Sequence, residues 1–297
     1  MLFRRTLLGL TLLLGIFSLG ACGGSDADVT IASKPMSEQY VLAQIIIELI
    51  EEETDLAVDY RSGMGGGTET IHPGMVNAEI DIYPEYTGTG WMQVLGEDLI
   101  RDPDELTEAV RDAYLDEFDI HWLERYGFNN TYGLAMLEEE AERLGIETYS
   151  DLEDHQDDLV FGAESDFFER QDAMPGLEET YGFTFDNTSE MEAGLKYDAV
   201  GDGQLDVISV WSTDGRLREY DLRLLEDDLD FFPSYYAATL VRDETLEAHP
   251  ELEGILNRLG GAIDNETITD INYRVEVLNE DPEDIALDFI EEAGLLD

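Results

Sequence analysis

The sequence predicts an α/β protein, on three observations. Short apolar runs of strand length alternate with longer segments of helical periodicity. A hydrophobic fraction of 43%, with 10% aromatic residues, supplies a core. The 297 residues suffice for one large domain or two smaller ones. Such alternation argues for mixed, mainly parallel sheets carrying helices.

The elements follow in order. Val29 to Ser33 reads as a first strand. Ser37 is placed to cap a helix running through Tyr40-Val41-Leu42 and Ile45-Ile46-Ile47 to about Glu53. Leu56 to Arg61 reads as a second strand, and Gly63 to Gly67 as a turn before a helix over Thr68 to Asn77. Ile80 to Tyr83 gives a third strand and Asp104 to Phe118 an amphipathic helix. Beyond these come a strand at Leu159 to Gly162, a helix around Met191 to Val200 and a strand at Leu205 to Val210. The last fifty residues are largely helical.

Charge sets the next constraint. Seventy acidic and 16 basic residues give a formal net charge of −54, and only Lys34 and Lys196 are lysines. A polyanion such as nucleic acid would be repelled by that field, and so would an anionic membrane surface. The acidity runs along the whole chain and reads as a solvated surface suited to very high salt, as in a halophile.

The N-terminus reads as an export signal. Residues 1–21 hold Arg4, Arg5 and no acid, followed by an apolar stretch from Leu7 to Leu19. Leu19-Gly20-Ala21-Cys22 resembles a lipoprotein signal, with Cys22 as the lipidation site and first residue after cleavage. The paired arginines leave both general and twin-arginine export open. Removing residues 1–21 takes the net charge to −56. Residues 22–28 are a flexible tether. The expected product is a lipid-anchored protein on the outer face of the cytoplasmic membrane.

Catalytic and metal-binding patterns are thin. The four histidines are scattered, Cys22 is the one cysteine, and no G-x-S-x-G elbow is present. Gly65-Gly66-Gly67 lacks both the P-loop ending and the dinucleotide-binding spacing, so a structural turn is the better reading. No cofactor, no metal and no enzymatic activity are expected.

What rises above this background is an ordered series of motifs. Ser33-Lys34-Pro35-Met36-Ser37-Glu38-Gln39 comes first, then Gly65-Gly66-Gly67-Thr68. Tyr83-Pro84-Glu85-Tyr86-Thr87-Gly88-Thr89 and Gly127-Phe128-Asn129-Asn130-Thr131-Tyr132 follow. Phe167 to Asp172, Trp211-Ser212-Thr213-Asp214-Gly215 and Phe231-Phe232-Pro233-Ser234-Tyr235-Tyr236 complete it. The series resembles the substrate-binding proteins of osmoprotectant ABC transporters, of the glycine betaine/carnitine/choline type.

The resemblance implies a two-lobed periplasmic-binding-protein fold of type II, with ligand in a cleft that closes by hinge motion. Lobe 1 would comprise 29–131 and 236–297, and lobe 2 would comprise 132–235. It also implies an aromatic cage of Tyr86, Tyr132, Trp211 and Tyr235 for a quaternary ammonium, which offers no hydrogen-bond donor. Lys34, Thr89 and Arg170 match the family's anion-binding positions, and Asn130 would shape the cage. Trp211 stands where the family has Tyr, and Pro35 and Met36 depart from the polar-aromatic pair usual after the lysine. Asp81, Tyr83 and Asp214 read as structural. The implied function is capture of glycine betaine or a related osmolyte by a monomer, for delivery to permease subunits. The alternatives are a binding protein for choline, an amino acid or another small anion, or an enzyme on the same scaffold.

The charge makes one prediction directly. Molar salt shortens the Debye length to roughly 3 Å and screens the self-repulsion. The melting temperature should therefore rise steeply from low to molar salt. A melting temperature indifferent to salt would refute the halophilic reading.

Overall fold

The computed structural model describes residues 27–170 and 173–296. The expected signal 1–21, Cys22 and residues 23–26 of the tether lie outside the described residues, as do Gln171 and Asp172. Ten strands form two five-stranded sheets. They are β1 (Val29–Ala32), β2 (Val58–Arg61), β3 (Ile82–Tyr86), β4 (Ile120–Asn129), β5 (Tyr132–Leu137), β6 (Val160–Ala163), β7 (Asn187–Glu190), β8 (Val207–Trp211), β9 (Leu222–Leu224) and β10 (Tyr236–Arg242). The first sheet has the order β2-β1-β3-β10-β4 and the second β7-β6-β8-β5-β9.

Each sheet has two parallel and two antiparallel pairings, so the sheets are evenly mixed and not mainly parallel. The reason lies in how the chain changes sheets. β3 and β8 end at the same edge where β10 and β5 begin, with Ala237 opposite Tyr86 and Tyr132 opposite Trp211. A strand that starts at the edge where its neighbour ends must run against it.

The two crossings, at 130–131 and 233–235, are tied together. The Asn130 amide donates to the Tyr235 carbonyl at 3.1 Å, and the Tyr235 amide donates to Asn129 Oδ1 at 2.7 Å. Thr131 Oγ1 donates to the Pro233 carbonyl at 2.8 Å. Ser212 Oγ accepts from the Thr131 amide at 2.9 Å and donates to the Asn129 carbonyl at 2.7 Å.

The helix Ser37–Glu53 is the hydrophobic centre of the first unit. Val41, Leu42, Ile45, Ile46, Leu49 and Ile50 are all buried, because the first sheet and the C-terminal helices cover nearly its whole circumference. Ser37 does not cap it. Met36 occupies the cap position without a side-chain hydrogen bond, and Ser37 is the first helical residue. The glycine turn behaves as the sequence suggests: Gly66 and Gly67 take positive φ angles of 87° and 54°, and the helix Thr68–Val76 starts directly after them. Tyr149, Phe161, Phe167, Leu177, Phe183 and Phe232 build a separate core around the second sheet. Among the described residues no helix is long and apolar enough to cross a membrane.

Ile46→Ala should cost about 2–5 kcal/mol, since the site is fully enclosed and cannot collapse around a smaller side chain. Denaturant unfolding measures this. A loss below about 1 kcal/mol would mean the helix is less tightly held than its burial indicates.

Candidate functional site

The edge at which the two sheets exchange strands is also where the chemistry collects. A cavity of about 530 Å³ lies there. Ligand crevices in open α/β sheets form outside the strand ends for the same topological reason. Lys34, Tyr86, Thr89, Asn130, Tyr132, Arg170, Trp211 and Tyr235 all line it.

Four aromatic residues come from strand termini. Tyr86 ends β3, Tyr132 begins β5, Trp211 ends β8 and Tyr235 immediately precedes β10. Tyr132 and Trp211 are register partners, and their rings stack at 4.1 Å with planes 24° apart. The outer part of the indole stays open, leaving Trp211 48% exposed at the cavity. Tyr235 reaches its place because residue 88 is glycine. A Cβ there would lie 2.6 Å from the Ser234 carbonyl and 2.8 Å from the Tyr235 ring.

The protein's own cations already lie against this aromatic set. Lys34 Nζ sits 4.8 Å from the centre of the Tyr86 ring, and the Arg170 guanidinium sits 5.8 Å from that of Tyr132. The ring faces are therefore placed to receive positive charge. Lys34 also pairs with Glu85, a fully buried carboxylate. Glu85 accepts further from Thr68 Oγ1 at 2.7 Å, the Tyr83 hydroxyl at 3.0 Å and the Tyr86 amide at 2.7 Å. Tyr83 is thus structural, as the sequence suggests, and so is Asp81, which accepts from the Thr30 amide and from Arg242.

Sequence reasoning missed an acidic wall. Glu38 is buried and lines the cavity. It accepts from the Tyr86 hydroxyl, from Asn130 Nδ2 at 3.1 Å and from Asn272 Nδ2 at 3.2 Å. No Lys or Arg pairs with it among the described residues. Burial, and then the Glu38 charge, push the Tyr86 phenol well above its ordinary value, so it stays a donor. Asp214 also lines the cavity, holding the Tyr197 hydroxyl at 2.6 Å and Arg216 at 3.2 Å. The Glu276 carboxyl is pushed up from its usual value by burial and then by the neighbouring Asp214.

One signal for Glu38 was present. It lies three and four residues before Val41 and Leu42, in line with the buried stripe of its helix. An acid in that register is either paired or functional.

Residues 27–292 match the OpuAC family, the substrate binding domain of the ABC-type glycine betaine transport system. The chain is similar to the ergothioneine transport permease/ergothioneine binding protein EgtU of Helicobacter pylori, at 41% identity over 91% of this chain. It spans 48% of that relative's length. It is 35% identical to the carnitine transport binding protein OpuCC of Listeria monocytogenes, over 98% of this chain and 95% of that one. Among solved structures, that of a glycine betaine/carnitine/choline ABC transporter superposes with a TM-score of 0.86 at 33% identity, covering 91% of this chain and 100% of its own. Sequence and architecture together place the chain in the family of substrate-binding domains of ABC-type glycine betaine transport systems.

Proposed function

We propose that this protein captures glycine betaine or a related quaternary-ammonium osmolyte and hands it to an ABC permease, without chemical change. One observation carries the reading. Four aromatic side chains from both sheets meet on one cavity beside Glu38, a buried carboxylate that no basic residue neutralises among the described residues. A trimethylammonium group answers both needs. Its methyls prevent a direct salt bridge, so ring faces hold it, while Glu38 supplies countercharge from behind Tyr86 and Asn130.

The carboxylate of the ligand falls to the donors on the cavity wall. Arg170 offers a fork of donors, Thr89 a hydroxyl, and Lys34 the N–H groups it does not give to Glu85. Lobes of 29–131 with 236–297, and of 132–235, would close on the ligand about the two crossings. A lipid on Cys22 would hold the monomer at the outer face of the membrane, within reach of the permease.

Titration calorimetry with glycine betaine, carnitine, choline and glutamate tests the reading. Binding of glutamate with no binding of any betaine would sink it. Trp211→Ala should weaken betaine about two- to thirtyfold, the span of one cation–π contact. Unchanged affinity would remove Trp211 from the cage.

Arg170→Ala should weaken glycine betaine far more than choline, because choline has no carboxylate. Equal losses for the two ligands would count against an anion-binding role for Arg170.

A further inference from the structure

A second cavity, of about 160 Å³, lies beside the first, with the stacked pair of Tyr132 and Trp211 in its wall. Tyr132, Trp211 and Arg170 line both cavities, so the two adjoin. The inner chamber has apolar sides, including Phe167 and Ala173, and a polar floor of Lys196, Glu164 and Ser209.

That floor is unusual for this chain. Lys196 is one of two lysines in the sequence and is 5% exposed. Its ammonium donates to Glu164 Oε1 at 2.6 Å and Ser209 Oγ at 3.3 Å, while Ser209 Oγ donates to Glu164 Oε2 at 3.0 Å. An ammonium carries three N–H donors, and the third meets no oxygen acceptor among the described residues. The lysine end of this pair is buried while the Glu164 side chain is 33% exposed, and burying an ammonium is costly unless its donors are used. A spare donor held at a cavity floor points to something the cavity receives.

The charges say what that is. Lys196 and Glu164 cancel, leaving a spare donor, with the Arg170 side chain also in the chamber wall. The chamber is suited to an acceptor group, above all an anion. Glycine betaine places one carbon between ammonium and carboxylate, so a molecule held by the cage keeps its carboxylate in the outer cavity. Carnitine places three carbons there and reaches further.

We infer that the inner chamber is an anion subsite for betaines longer than glycine betaine, with Lys196 donating to the ligand's carboxylate, a proposal that rests on the betaine reading above. Lys196, Glu164 and Ser209 are then the residues that set how long a betaine the protein accepts. Burial pushes the Lys196 ammonium down from its ordinary value, and Glu164 offsets only part of this. A carboxylate seated beside it would offset more.

The test is calorimetry on the full chain with carnitine and glycine betaine. The double variant Glu164→Gln/Lys196→Met removes both charges together and leaves neither one buried alone. It should lower carnitine affinity at least tenfold more than glycine betaine affinity. Ala173→Leu fills the chamber without touching the ion pair and should give the same selective loss, so it decides the matter if circular dichroism shows the double variant unfolded. Equal losses for both ligands, or no loss, overturn the subsite. So does an unaltered protein that binds glycine betaine and not carnitine. An unaltered protein that binds neither ligand removes the betaine reading itself.

Discussion

The site depends on a carboxylate that no ligand reaches. Glu85 is fully enclosed near the end of β3, where a charge is costly unless every lone pair is used. Lys34 after β1, Thr68 at the start of a helix, and Tyr83 and the Tyr86 amide on β3 itself meet that demand together. One buried charge thereby fixes three chain segments. Satisfying Glu85 also draws the Lys34 ammonium over the Tyr86 ring. Glu85 thereby positions Lys34 and Tyr86 at the cavity.

The sheets share a plan that explains why the cavity forms where it does. In each, a parallel trio is extended by a strand running the other way, and that strand begins where the chain arrives from the other sheet. Strand ends from both sheets are forced to one place. Aromatic residues at those ends are therefore neighbours without any long loop to carry them. The acidic wall comes from outside the sheets, from the start of the helix Ser37–Glu53 and from the helix Asn265–Glu276. Aromatic and acidic groups on the cavity thus come from different layers, brought together only when both are folded.

Much of this was legible in the sequence, unevenly. The parallel strands β1, β6 and β8 are short, largely apolar runs, β2 alternates apolar and charged residues, and the pattern finds all four to within a few residues. β4, β5, β7, β9 and β10 escaped. β4 is interrupted by polar residues and pairs with β10 through register shifts, while β10 reads Ala-Ala-Thr. Their strand character comes from the strands they pair with, which a local window does not contain. The eight candidate ligand residues were legible as motif blocks, and they line one cavity. Glu38 was not singled out and Asp214 read as structural, because each is one acid among 70. Burial separates them from the rest, and burial is a property of the fold.

The exposed, stacked indole of Trp211 has a practical consequence. The other two tryptophans belong to the core of the first unit: Trp122 is buried, and the Trp91 indole N–H is bonded to the Asp98 carbonyl. Trp211 alone faces the cavity. The protein thus carries an intrinsic optical reporter on the cavity wall, set against two tryptophans that do not line it. A fluorescence change on adding solute reads the cleft directly, with no label attached.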